Sequence, residues 1–141
     1  MPNPLTLHAY HDWEASCELL NDSLSRYIPY SAKKKYTSQE LEFYDSLSFR
    51  YTKAIETAFY FFRAFEVELT GVGSQFQRDQ LLKMEKVGIV KTVDEWMDAK
   101  QLRNKITHTY DPDELEIIFV QVINHSRAII EAAQRAKTCL K

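Results

Sequence analysis

Glycine and proline are scarce in this chain, with three and four among 141 residues, and so few breakers argue for long uninterrupted elements. No stretch approaches the roughly 18 consecutive apolar residues of a membrane span, so none is expected. Cysteine occurs only at Cys17 and Cys139, near opposite ends and without metal-ligand spacing. Both read as idle thiols of a reducing cytoplasm. Net charge is −2, which excludes a global basic field drawing the protein onto nucleic acid. Any RNA contact must come from a local patch or a groove between copies. The start, Met1-Pro2-Asn3-Pro4, lacks the basic residues and apolar run of a signal peptide, so a cytoplasmic protein is expected. There is no phosphate-cradling glycine loop and no nucleophile motif. His8 and His11 lie three apart, but no carboxylate or thiol completes a recognisable set, so neither metal nor cofactor is expected.

What the chain does have is a composition of 45% hydrophobic and 27% charged residues, that of an ordinary globular protein. Its length suits one domain spanning residues 1–141. Leu5 to Ile28 predicts a first helix, with Trp13, Cys17, Leu20, Leu24 and Tyr27 as one apolar stripe and Pro29 as its stop. Lys33-Lys34-Lys35 follows in a connection; three such lysines suit a phosphate backbone but are usually just solvated.

Thr37-Ser38-Gln39-Glu40 is a capping-box pattern opening a long helix to about Thr70. Its main face runs from Leu41 and Tyr44 through Ala58 and Phe62 to Leu69. Around Phe59-Tyr60-Phe61-Phe62 it is apolar on nearly every side, which places it at the centre of a bundle or in contact with a second copy. A base-stacking surface is the less economical reading.

Gly71 and Gly73 end that helix. Phe76 to Val87 predicts a short one with Leu81, Leu82 and Met84 inward and Gly88 as its C-cap. Thr92 to Glu95 is a second capping box, before a helix from Val93 to about Thr107. Asp111, Pro112 and Glu114 start a last helix whose inward face runs from Leu115 to Ala133, with the tail from Arg135 expected to fray. His125 falls on its polar face or an interface. No strand pattern or internal repeat is present. The fold class is all-α, an up-and-down bundle of about five helices.

Side chains able to do chemistry gather at Arg103-Asn104-Lys105-Ile106-Thr107-His108-Thr109-Tyr110. Arg103 offers a permanent cation with a planar fork of donors suited to phosphate. His108 is the residue type that titrates near neutrality. On an ideal helix, positions five apart lie about 140° apart and do not easily share a ligand. The β-branched Ile106, Thr107 and Thr109, and Asp111-Pro112 beyond, predict that the helix stops near Thr107. His108 would then sit on a turn folding back toward Arg103. These types suit metal-free phosphodiester chemistry on RNA. His108 would move a proton to or from an oxygen, Arg103 would hold the scissile phosphate, and Asn104 would position either. One Arg and one His make a thin site, which a symmetric dimer would double. The plainer alternative is that Arg103 and His108 merely complement a helix C-terminus, Asn104 bonds there and Tyr110 is core.

The Arg-Asn-x-x-x-His-x-Tyr pattern resembles the signature of HEPN-domain proteins. More closely it resembles their HepT-like branch, also described as nucleotidyltransferase substrate-binding proteins. The similarity extends through Phe49 to Glu56, Leu81 to Ile89 and Asp94 to Met97. It implies a HEPN-like fold and a homodimer using Arg103 and His108 as a metal-independent ribonuclease toxin. The implied antitoxin is a minimal nucleotidyltransferase that adenylylates Tyr110. The chain lacks the Gly-Ser and paired aspartates of such a transferase and would be its partner. A non-catalytic substrate-binding subunit that holds RNA or a nucleotide is the alternative.

Overall fold

The computed structural model describes residues 2–141; Met1, part of the start read above, lies outside them. Five helices pack together: α1 (Pro4–Ser25), α2 (Ser38–Thr70), α3 (Gln77–Lys86), α4 (Val93–His108) and α5 (Pro112–Cys139). No strand occurs among the described residues, and no helix there is long and apolar enough to cross a membrane.

Local chemistry sets most of the boundaries. Asn3 caps α1 by accepting from the Thr6 amide at 2.8 Å. The Thr37 capping box is complete: Thr37 Oγ1 accepts from the Glu40 amide at 3.1 Å, and Glu40 Oε1 from the Thr37 amide at 3.0 Å. At Thr92 and Asp111 only the forward bond forms, to the amides of Glu95 and Glu114. Gly71 closes α2 at φ 83°, the left-handed conformation that glycine adopts without strain. Gly88 shares that φ but follows the cap residue, Val87.

α2 is the central element and touches every other helix. Its aromatic segment is resolved by packing inside one chain. Phe61 and Phe62 are fully buried and Phe59 is half-buried, while Tyr60 is 72% exposed. Trp13 of α1 meets Phe61 and Phe62 at ring centroids of 5.4 and 5.5 Å, and Trp96 of α4 meets Phe62 at 5.0 Å. The two contacts of Phe62 are edge-on and that of Phe61 is tilted, and such ring pairs add to the burial of large rings.

Polar clamps fix the helix registers. Arg50 on α2 donates to the Leu19 carbonyl and the Ser23 hydroxyl of α1, at 3.1 and 2.9 Å. Tyr51, fully buried, donates its hydroxyl to the Ala99 carbonyl of α4 at 2.7 Å. Glu66 is a fully buried carboxylate at the far end of α2. It accepts from the Ser74 amide at 2.8 Å, the Ser74 hydroxyl and Gln80 Nε2, and pairs with Lys83 at 3.0 Å. Burial alone pushes its carboxyl up, but Ser74, Lys83 and Gln80 outweigh that and hold it at about 2.

Several expectations are corrected. α1 ends at Ser25, not Ile28, because Arg26 and Tyr27 already close the last turn onto Ser23 and Leu24. Leu41, Leu69 and Leu82 are exposed at 37%, 49% and 42%. Leu82 lies beside the fully buried Leu81 and Met84, and Leu69 follows the buried Phe65 and Glu66, so these two side chains fall on the open side of packed turns. The C-terminal tail does not fray. α5 runs to Cys139, held by the buried Ala136 and by Arg135 Nε donating to the Ile89 carbonyl at 3.0 Å.

Two outcomes are expected. Phe62→Ala lowers stability by about 3–5 kcal/mol in urea denaturation, the usual cost of emptying an aromatic core site. Glu66 has a depressed folded pKa, so its contribution is full above about pH 4.5 and lost as pH falls toward 2. Acid titration of wild type and Glu66→Gln checks this: the loss of stability over that window shrinks in the variant.

Candidate functional site

α4 carries the motif, and α2 holds α4 in place. The Ala99 carbonyl that accepts from Tyr51 is also the helical partner of the Arg103 amide in a regular i to i−4 ladder. Burial raises the Tyr51 phenol, and the nearby Arg103 charge opposes that shift. Tyr51 thus anchors the turn from which Lys100 and Arg103 project.

Helix α4 includes His108 as its last residue, and the chain becomes extended only at Thr109, with φ −105° and ψ 127°. The expected turn at His108 is therefore absent. The restraint imposed by Pro112 acts on Asp111, the residue immediately before it, and leaves His108 free to stay helical. Five residues of intact helix keep Arg103 and His108 about 140° apart around the axis, so one chain does not bring them together.

Instead the motif divides between two faces. Asn104 and His108, four apart, share an exposed face. Arg103 and Lys100, three apart, line a groove of about 810 Å³ between α2, the α2–α3 connection, α3 and α4. Arg63, Lys100 and Arg103 set three cations in that groove against one carboxylate, Glu56. Arg63 Nη1 donates to the Ser74 carbonyl at 2.8 Å and lies 3.9 Å from Glu66, and Lys100 Nζ donates to Gln77 Oε1. Half-buried Arg103 makes no ion pair and no side-chain hydrogen bond among the described residues. A guanidinium held in a polar groove without a protein partner is suited to an anion with two acceptor oxygens.

Tyr110 lies just past the helix and is 87% exposed, so it is not a core aromatic. His8 and His11 pair with Asp12 and Glu14 at 3.4 and 3.8 Å, and no group of three potential metal ligands occurs among the described residues. Lys34 is engaged by Glu40 at 2.8 Å and lies over the Tyr36 ring, while Lys33 and Lys35 are solvated. His125 is half-buried beside Asp98, Gln101 and Lys105, and burial lowers its pKa against the opposing charges of Glu95 and Asp98. Cys17 is buried, its thiol pushed up to about 12 by that burial, and Cys139 is exposed.

Sequence reasoning passed over Arg63, Lys100 and Glu66. A signal for Glu66 was present: it falls four residues after Phe62 on the apolar face, where a carboxylate needs buried partners. Arg63 and Lys100 gave none, since lone cations on helices are ordinary and only the tertiary fold joins them.

Because Arg103 is not tied into the protein, Arg103→Ala is expected to change unfolding free energy by no more than about 0.5 kcal/mol. Glu66→Ala, which leaves the buried Gln80 amide and the Ser74 amide without their acceptor, costs about 1–3 kcal/mol on the same urea curves. A large loss in Arg103→Ala would make it a structural residue. Compared with known protein families, curated proteins and solved structures, the chain matches none.

Proposed function

We propose that this chain is a HEPN-type, metal-independent ribonuclease toxin that works as a homodimer and is neutralised by a minimal nucleotidyltransferase antitoxin. The observation that carries the reading is Arg103: the arginine of the motif stands unpartnered in a groove with Lys100 and Arg63. Three cations on one wall system offer the local phosphate-binding patch that a chain of net charge −2 needs to engage RNA.

In the proposed reaction the ribose 2′-oxygen attacks phosphorus while the bond to the 5′-oxygen breaks. The products are a 2′,3′-cyclic phosphate and a 5′-hydroxyl. His108 takes the proton from the attacking hydroxyl or gives one to the leaving oxygen. Arg103 stabilises the charge gathering on the phosphate oxygens. Since Arg103 and His108 diverge on one helix, the complete site combines Arg103 of one copy with His108 of another, and Asn104 accompanies His108. The exposure of Tyr110 supports its role as the adenylylation site. Its phenol oxygen would displace pyrophosphate from ATP on the antitoxin, and the added phosphate would repel RNA beside the motif.

A second reading, a non-catalytic subunit holding substrate for a nucleotidyltransferase, is favoured by the same divergence: within one chain the phosphate groove lacks the histidine.

Purified protein in excess EDTA is expected to cut RNA and leave cyclic-phosphate ends. Arg103→Ala and His108→Ala should each slow cleavage by about 10²- to 10⁴-fold. Equal cleavage by all three proteins would overturn the assignment. Binding of RNA that depends on Arg103, without cleavage by protein whose mass shows no adenylyl group, would select the second reading.

A further inference from the structure

The groove that holds Arg103 does not stand alone. A second cleft of about 510 Å³ lies between α1 and α2, lined on its apolar side by Leu5, Ala9, Tyr60, Ala64 and Val67. Both volumes fall in the range of ligand sites. The two hollows share two residues, Tyr60 and Arg63, three apart on α2 and therefore neighbours on its surface. An apolar slot and a cationic groove thus meet at one aromatic ring and one guanidinium.

Each junction residue is presented in a definite way. Tyr60 is 72% exposed although it directly precedes the fully buried Phe61 and Phe62, so its ring is open to a ligand. Arg63 is held at its place. Its guanidinium lies so close over Gly73 that a Cβ there would come within 2.3 Å of it, and it bonds the Ser74 carbonyl beside the buried Glu66. That bond uses Nη1 and leaves Nη2 and Nε without a protein partner among the described residues. Of the other polar side chains at the apolar cleft, His8 Nε2 lies 3.4 Å from Asp12 Oδ2.

An apolar cleft alone would accept any greasy group. Continuity with three cations adds a place for phosphate, and the exposed Tyr60 ring at the junction adds a stacking face; an aromatic base joined to phosphate, a nucleotide unit, uses both. We propose that the α1–α2 cleft is a base-binding subsite for single-stranded RNA, with one base stacked on Tyr60 and the adjoining phosphate shared by Arg63 and Arg103. This subsite rests on the phosphate-binding reading of the Arg103 groove and adds base recognition to it. Stacking on an aromatic tolerates any base, so the subsite selects unpaired strands over duplex and does not read sequence.

The experiment uses fluorescence anisotropy at fixed salt in a His108→Ala background, where RNA survives. The probes are a short labelled oligouridylate and an abasic ribose-phosphate strand of equal length. Tyr60→Ala is expected to weaken oligouridylate binding by about 5- to 100-fold and leave the abasic strand unchanged, while Tyr60→Phe keeps the base preference. Arg103→Ala should weaken both strands, since it acts on phosphate. If Tyr60→Ala leaves oligouridylate binding unchanged, or weakens both strands equally, the base subsite is overturned. The phosphate reading then still stands on Arg103→Ala. Loss of self-association in Tyr60→Ala, with base preference intact, would overturn the subsite by making the cleft a contact between copies. If Arg103→Ala alters neither strand, the phosphate reading fails, and the subsite fails with it.

Discussion

A 33-residue helix with apolar residues round much of its circumference has to be covered on several sides, and this requirement organises the whole chain. α1, α3, α4 and α5 are each placed by what they cover on α2. Trp13 and Trp96 close over Phe61 and Phe62 from two directions, and Tyr51 ties the backbone of α4 to the same helix. The site inherits its geometry from this packing. Lys100 and Arg103 project into the groove because Tyr51 fixes the turn that bears them, and the groove's other wall is α2 itself.

Electrostatics divides the molecule into groups that are used up internally and groups that are not. Glu66 is satisfied by Ser74, Gln80 and Lys83, and it gives Arg63 a counter-charge while joining α2 to the start of α3. Removing one partner from such a buried set is costly, so these residues are fixed by folding. Arg103 belongs to the other group. It makes no ion pair and no side-chain hydrogen bond among the described residues, which leaves its donors open to an anion entering the groove. Asn104, His108 and Tyr110 are exposed on the neighbouring face and beyond the helix end, so they too are available to another molecule.

Features governed by a few neighbouring residues were legible in the sequence. The Thr37 capping box and the left-handed Gly71 each follow from local backbone needs, and both are present. The apolar periodicity of α2 likewise runs through Tyr44, Ala58 and Phe62, all of them buried. Tertiary contacts decided the rest. α5 persists through Ala136 because that residue is buried and Arg135 reaches Ile89. Tyr60 and Phe61 are adjacent and equally greasy in sequence, yet only packing assigns one to solvent and the other to the core. At the site, helix propensity and the nearby proline suggested a turn at His108, but the restraint falls on Asp111 alone and the helix runs on. That single turn keeps Arg103 and His108 on different faces of α4, so under the proposed function the site has to be shared between copies. The groove itself was invisible, since Arg63 and Lys100 are 37 positions apart in sequence and meet only through the fold.

The most direct test of a shared site is complementation between two inactive proteins. Arg103→Ala and His108→Ala are purified separately, mixed under conditions that exchange subunits, and assayed for RNA cleavage in EDTA. In a mixed dimer one composite site keeps both functional side chains and the other loses both. With random exchange, about a quarter of wild-type activity is therefore expected from the mixture, against nearly none from either protein alone. A mixture that exchanges subunits, verified by mass, and stays as inactive as its components would contradict a site built from Arg103 of one copy and His108 of another.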